Sequence, residues 1–385
     1  MRCYLMNKNT KIALIEYNTI LDGIDKIYEI YDIKYAPLSI ENASKDKSKN
    51  LLKELNNWFK GRGIPSWRKD IENLLERLEV SSTDELLNKA FALSLSDQYW
   101  IKEEESGIEW KNINFFENDF KYKGYLSASL STDSKERPDL HSPNNTTDGM
   151  LQKAWIIENG DRILVKGTYE ASRQEPINEW LASNICNRLG FKYCSYEIDV
   201  IDGKLVSKCK NFISSDEEII TAHDIFNSHS KSNNVSDYEH YVQILEKQNV
   251  PEARKNVEDM FIVDFLVMNI DRHLKNFGVI RNVNTLKFER TTPIFDTGES
   301  MNCNKLTQEI NFHDGTGKFF SNTNKRFSQY LEIVKDLKRI DMKKLQGISQ
   351  EYREVLLKYQ PYTEISEERI EKLVKGLNQR IEFLI

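Results

Sequence analysis

Cysteine, histidine and long apolar runs are all scarce in this sequence. The five cysteines are scattered and show no C-x-x-C spacing, which argues against a disulfide framework or a zinc site. The most apolar stretch, residues 261–270, is interrupted by Asp264 and is about half the length needed to span a bilayer. Residues 1–5 lack the apolar core of a signal peptide. We therefore expect a cytoplasmic protein without a membrane segment.

The charge balance excludes one large class of partner. The formal net charge is only -6, so no global positive field draws the protein onto nucleic acid or an anionic membrane. At 385 residues the chain is long enough for two or three compact units, and 39% hydrophobic residues can supply their cores. The composition predicts a globular protein that does not bind nucleic acid directly.

Periodicity and turn residues predict an α+β chain in three parts. Residues 1–130 begin with short apolar runs typical of a small β hairpin or meander and continue with helical patterns, which indicates an accessory α/β subdomain. Residues 131–212 read as strand, strand, helix, strand, strand, with the helix from Pro176 to Leu189 and strands at about 191–199 and 204–208. Residues 213–385 are mostly helical, and one helix runs from Pro251 toward Met268. A small β-rich lobe followed by a larger helical lobe is the order of a two-lobed protein kinase.

The strongest local signal is the decapeptide at residues 269–278, NIDRHLKNFG, between an apolar helix and an apolar strand. Phosphoryl transfer needs a carboxylate that accepts the proton of the attacking hydroxyl, together with oxygen ligands for magnesium. Asp271 and Asn276 have the five-residue spacing of the catalytic Asp and the metal-binding Asn of protein kinases. Asp296, after the next hairpin, stands where the second metal ligand is expected.

A lysine that meets the phosphates and its helical glutamate partner are the other elements of such a site. Lys166 ends a predicted strand, and Glu179 lies on the helix that follows. Glu175 lies four residues earlier on the same face of that helix and is the alternative partner. Each residue alone has an ordinary structural explanation, but their order along the chain favours a kinase.

These motifs resemble the HipA-like serine/threonine kinases of bacteria. The resemblance covers roughly residues 140–385 and is clearest in Asp271-x-His273-x-Lys275-Asn276, in Phe295-Asp296, and around Lys166 and Glu179. Residues 1–130 match the family's N-terminal subdomain only loosely.

The resemblance implies ATP and Mg²⁺ as cofactors and assigns several roles. Asp271 would be the base, Asn276 and Asp296 the magnesium ligands, and Lys166 the phosphate contact. His273 would line the nucleotide site or be a buried structural histidine, and Lys275 would neutralise the γ-phosphate or be a surface charge. The adenine connector is expected within residues 207–212, with Cys209 and Asn211 as candidates, and Phe295 beside the nucleotide.

Members of this family carry a phosphate-covering loop that is often autophosphorylated, and residues 142–152 match its position. The hydroxyl candidates for autophosphorylation are Ser142, Thr146 and Thr147. Gly149 is the only glycine there, so the phosphate cradle would depend on Thr146, Thr147 and backbone amides. An ordinary domain linker is the alternative.

Several functions therefore stay open. The first is a protein serine/threonine kinase, for which the resemblance implies a growth-arresting toxin restrained by a small DNA-binding antitoxin. The second is a small-molecule phosphotransferase with the same catalytic set. The third is a metal-dependent phosphohydrolase with Asp271, His273 and Asp296 as ligands, although the chain has only six histidines and the other five lie in no tight motif. The fourth is an inactive interaction module.

Overall fold

The computed structural model describes residues 1–20, 23–66, 71–122, 140–147, 152–320 and 324–384. The chain is divided into two compact units. The first comprises residues 1–165, 213–220 and 280–287, and the second comprises residues 166–212, 221–279 and 288–385. The predicted boundary at residue 130 lies outside the described residues, and the boundary at 212/213 stays a prediction.

Strands and helices both contribute to the fold, which confirms the α+β class. The strands are β1 (Arg2–Asn7), β2 (Thr10–Asn18), β3 (Gly23–Ile30), β4 (Tyr99–Glu103), β5 (Lys153–Glu158), β6 (Asp161–Lys166), β7 (Tyr196–Ile201), β8 (Lys204–Lys210), β9 (Glu217–Thr221), β10 (Gly278–Asn282), β11 (Phe288–Thr291), β12 (Thr316–Lys318) and β13 (Asn324–Arg326). The α-helices are α1 (Leu38–Lys45), α2 (Leu51–Lys60), α3 (Ile71–Leu78), α4 (Thr83–Lys89), α5 (Trp110–Ile113), α6 (Glu175–Leu189), α7 (Ala222–Phe226), α8 (Asp237–Lys247), α9 (Ala253–Val267), α10 (Phe327–Leu331), α11 (Ile348–Tyr359) and α12 (Glu367–Glu382).

The first unit is built on an antiparallel sheet in the order β3-β2-β1-β4. The predicted meander supplies its first three strands, and β4 joins it from about 70 residues further along. Alternate residues of β1 and β2 face two separate apolar clusters, as the period-2 geometry of a strand requires. The side chain of Ser82 caps α4 by accepting from the backbone amide of Glu85.

The second unit begins at Lys166 and carries α6 next to the β7–β8 hairpin. The predicted helix 176–189 is confirmed, and it ends at Gly190, whose φ of +76° suits a glycine C-cap. The predicted strand at 191–199 is wrong in its first half, because β7 begins at Tyr196. The residues before it pair instead with Ile294, whose carbonyl accepts from the Cys194 amide and whose amide donates to the Lys192 carbonyl.

Helix α9 forms the centre of the second unit. All of its last eleven residues, from Val257 to Val267, have apolar or acidic side chains and are buried, so the helix is enclosed on all sides. The helix ends at Val267, and the φ of +53° at the next residue, Met268, turns the chain into the loop at residues 269–277. None of the described helices is long and apolar enough to cross a bilayer.

Candidate active site

Lys166, the last residue of β6, is a deeply enclosed charge at the centre of an ion-paired set. Its Nζ donates to Glu179 Oε1 and lies 2.6 Å from Asp296 Oδ1, and its side chain is only 3% exposed. Burial by itself lowers the pKa of Lys166, but the carboxylates of Asp296 and Glu179 outweigh burial and raise the pKa above its usual value. Lys166 is therefore an ammonium ion held between two carboxylates.

Glu179 holds this lysine from the middle of α6. Its second carboxylate oxygen accepts from the hydroxyl of Ser207 on β8, so both oxygens have donors. Glu175, the alternative partner, instead accepts from the backbone amides of Tyr169 and Glu170 with Oε1. The structure thus pairs Lys166 with Glu179 and uses Glu175 to order the preceding turn.

Asp296 adopts a backbone conformation that is rare for a residue with a side chain. Its φ is +56°, in the left-handed region, which costs about 1–3 kcal/mol for a non-glycine residue. The Asp296 amide donates to the hydroxyl of Tyr196 at 3.1 Å, and the preceding ring, Phe295, packs at 5.6 Å from the ring of Phe212. These contacts fix the carboxylate of Asp296 toward Lys166.

A buried ion pair orders the loop at residues 269–277. Arg272 makes two hydrogen bonds to the carboxylate of Asp264, at 2.9 and 3.0 Å, and both side chains are completely buried. The guanidinium also donates to the backbone carbonyls of Asn276 and Phe295, both at 2.7 Å. Arg272 thereby connects helix α9, this loop and the segment that carries Asp296.

Asp271 and Asn276 lie in this ordered loop. The Asp271 carboxylate is about one-third exposed, and its backbone carbonyl accepts from Asn276 Nδ2 at 3.0 Å. His273 Nε2 lies 3.6 Å from Asp271 Oδ2, and burial lowers the pKa of His273 although the nearby carboxylates oppose this. Lys275 is exposed. A side chain from outside the loop, Lys318, lies 2.5 Å from Asp271 Oδ1.

The remaining residues that were predicted to contact the nucleotide lie on other elements. Cys209 is buried near the end of β8, and Asn211 follows that strand. Thr146 and Thr147 belong to the first unit, where their hydroxyls donate to the backbone carbonyls of Leu93 and Asn144. Gly149 lies outside the described residues.

Ser142, the remaining autophosphorylation candidate, caps a short 3₁₀ helix in the first unit. Its side chain is fully buried, and its hydroxyl oxygen accepts from the Asn144 amide. Phosphorylation of Ser142 therefore requires this segment to leave the described conformation.

Glu299 provides a pH-dependent prediction beside the site. Burial and the carboxylates of Glu175 and Glu170 raise the pKa of Glu299 from 4.5 to about 8, against the thiol of Cys303, which donates to it. Between these values the folded protein binds a proton that the unfolded chain does not, so the free energy of unfolding should fall as pH rises through this window. Urea denaturation at pH 5 and pH 8 should show this loss, and Glu299→Gln should reduce it. An equal loss of the free energy of unfolding in Glu299→Gln would contradict the assignment of this pH dependence to Glu299.

Comparison with known proteins decides the family. The family model described as "HipA-like kinase" matches residues 147–375, which is more than half of the chain and includes all of the site residues described above in the second unit. The chain belongs to the HipA-like kinase family.

Individual relatives of this HipA-like kinase are distant. A serine/threonine-protein kinase, CtkA of Helicobacter pylori, is 28% identical over 137 residues, which are 32% of this chain and 40% of the relative. The chain therefore matches less than half the length of this curated relative. A crystal structure of CtkA is 21% identical, with a TM-score of 0.45, and covers 60% of this chain and 92% of that one.

One solved structure extends over nearly the whole HipA-like kinase. HipA of Shewanella oneidensis, solved in complex with HipB and operator DNA, is 13% identical with a TM-score of 0.55, and the match covers 99% of this chain and 97% of that one. This likeness confirms the kinase-like fold, with the N-terminal region included.

Three contacts of this HipA-like kinase site were not predicted from the sequence. Ser207 holds the second oxygen of Glu179, Arg272 connects two loops, and Lys318 reaches Asp271. A signal existed for Arg272, because Asp264 interrupts an apolar helix and a buried carboxylate requires a cationic partner. Lys318 is 47 residues from Asp271, and no local spacing points to it.

Proposed function

We propose that this HipA-like kinase transfers the γ-phosphoryl group of ATP, with magnesium, to a serine or threonine hydroxyl of a protein. The observation that supports the proposal most is the ion-paired set of Lys166, Glu179 and Asp296, which the guanidinium of Arg272 connects to the loop of Asp271. A lysine bound by a helical carboxylate, together with a separate loop Asp, is the arrangement that kinases use.

The side chains at Asn276 and Asp296 suit a magnesium ion. The Asn276 amide nitrogen is engaged by the Asp271 carbonyl, which leaves the amide oxygen as the group that meets a cation. Asp296 offers a partly exposed carboxylate that is aimed by its unusual backbone conformation. Carboxylate and amide oxygens are the hard ligands that magnesium prefers, and the ion would neutralise phosphate charge.

Each residue then has a defined task in the transfer. Lys166 offers its ammonium to the phosphates, and Asp271 accepts the proton of the acceptor hydroxyl as the new oxygen–phosphorus bond forms. The bond between the γ-phosphorus and the ADP oxygen breaks, ADP leaves with its electron pair, and the proton ends on Asp271. Arg272 holds the segments that carry Asp271 and Asp296 in fixed relative positions through the two backbone carbonyls that it binds.

Protein serine or threonine as the acceptor is supported by the named activity of CtkA over the matched segment. We extend the proposal to autophosphorylation at Ser142, Thr146 or Thr147, and to a cytoplasmic role as a toxin with a small DNA-binding antitoxin as partner. The antitoxin partner is supported only by the likeness in fold to HipA, which was solved in complex with HipB and operator DNA.

The test is transfer of label from γ-labelled ATP to protein, followed by phosphoamino-acid analysis and site mapping. Wild type with Mg²⁺ should place acid-stable label on serine or threonine, and Asp296→Asn should place little. Label on Ser142, Thr146 or Thr147 supports the assigned loop. If wild type binds ATP but labels only a small-molecule acceptor, the protein-kinase proposal fails.

A further inference from the structure

Lys318 and Asp271 form an ion pair in which the partner of the catalytic carboxylate comes from a distant element. Lys318 Nζ lies 2.5 Å from Asp271 Oδ1, and the two side chains are 45% and 32% exposed. Lys318 ends β12, in the segment that follows Asp296. Because both side chains reach solvent, the pair contributes little to stability, and its position on the catalytic carboxylate needs another explanation.

The backbone of Lys318 is fixed against the loop at residues 269–277, called the catalytic loop below. Its amide donates to the Ile270 carbonyl at 3.2 Å, and its carbonyl accepts from the hydroxyl of Tyr330 at 2.8 Å. The preceding residue, Gly317, approaches so closely that a Cβ would lie 2.7 Å from the Asn269 carbonyl oxygen. The side chain of Lys318 therefore starts from a position that the loop itself determines.

An aromatic cluster holds β12 in place from the other side. Phe319 and Phe320, the next two residues, are at most 2% exposed. The ring of Phe319 lies 4.8 Å from Phe261 of α9 and 5.1 Å from Tyr330, and Phe320 lies 5.5 Å from Phe277 at the end of the catalytic loop. Side chains packed in this way have few alternative rotamers, so the backbone position from which the Lys318 side chain extends is rigid.

We propose that Lys318 is a positioning residue for the catalytic base. The proposal rests on the proposed phosphoryl transfer. Its ammonium engages Oδ1 of Asp271 and thereby turns Oδ2 toward the acceptor hydroxyl, whose proton Oδ2 receives as the oxygen–phosphorus bond forms and the bond to ADP breaks. His273 Nε2, 3.6 Å from Oδ2, borders the same oxygen. Without the ammonium, the Asp271 carboxylate rotates about its terminal bond and is misaligned in most encounters.

The experiment compares Lys318→Met, Lys318→Arg and the control Lys338→Met, which changes an exposed lysine outside the site. Each is also made in an Asp271→Asn background. Steady-state label transfer from ATP gives kcat and the KM for ATP. Thermal unfolding of each variant verifies that it is folded, as expected for partly exposed lysines.

We expect Lys318→Met to lower kcat by about 10²-fold with little change in the KM for ATP. Lys318→Arg should restore much of the rate because it keeps the positive charge, and Lys338→Met should match wild type. In the Asp271→Asn background, Lys318→Met should cause almost no further loss, since the group it positions is already gone.

Two results overturn this role and leave the proposed function intact. One is an active wild type with Lys318→Met equally active or faster, which would make the pair irrelevant or inhibitory. The other is the same fold-loss from Lys318→Met with Asp271 and with Asn at that position, which would mean that the lysine acts independently of the base. A wild type that binds ATP but transfers no phosphate overturns the proposed function, and the role of Lys318 falls with it.

Discussion

Asp271→Asn is expected to lower the rate of phosphoryl transfer by about 10²- to 10⁴-fold, the usual contribution of a positioned general base. The amide keeps the size of the carboxylate and still accepts from Lys318, but it does not take up the proton of the acceptor hydroxyl. Because Lys166, Asn276 and Asp296 are unchanged, ATP should bind with nearly wild-type affinity. Initial rates with γ-labelled ATP and separate binding isotherms measure the two effects.

The matched control for this prediction is Asp336→Asn, which changes an exposed aspartate that makes no capping hydrogen bond. Its transfer rate should equal that of wild type. A rate for Asp271→Asn within twofold of the control would remove Asp271 from the role of base.

Arg272→Met is expected to cause the largest loss of stability, about 3–5 kcal/mol in the free energy of unfolding. Methionine fills similar volume but leaves the carboxylate of Asp264 buried without its cation, with Asn269 as a remaining donor. It also leaves the carbonyls of Asn276 and Phe295 without the guanidinium. Urea or guanidinium denaturation of the purified variants measures the change.

An arginine in an exposed pair serves as the control. Arg353 pairs with Glu371 at 2.9 Å, but the two side chains are 39% and 60% exposed. Arg353→Met should therefore cost less than about 1 kcal/mol. Equal losses for the two variants would show that the Arg272 network does not hold the loop as described.

Local spacing identified several residues that the structure brings together, because they lie on short, sequential elements. Asp271 and Asn276 share one loop, and the bounds of α6 follow from Pro176 near its start and Gly190 after its end. The pairing of Lys166 with Glu179 required only the correct order of strand and helix. Such features depend on interactions within a few residues, which a single sequence displays directly.

Long-range contacts were beyond the reach of spacing. The segment before β7 pairs with Ile294, and Lys318 meets Asp271, in both cases through packing of residues far apart in the chain. Strand periodicity does not specify a partner, so the predicted strand began too early. Likewise a lysine after a Thr-Gly pair has no local feature that distinguishes it from a solvated surface residue.

Magnesium-dependent binding of ATP tests most directly whether Lys166, Asn276 and Asp296 form one nucleotide site. Isothermal calorimetry on wild type should show one ATP site whose affinity falls when EDTA removes Mg²⁺, and Asp296→Asn should lose most of that metal dependence. The Asp336→Asn control should bind as wild type does. No ATP binding by wild type, or equal binding with and without Mg²⁺ in wild type and Asp296→Asn alike, would contradict the account.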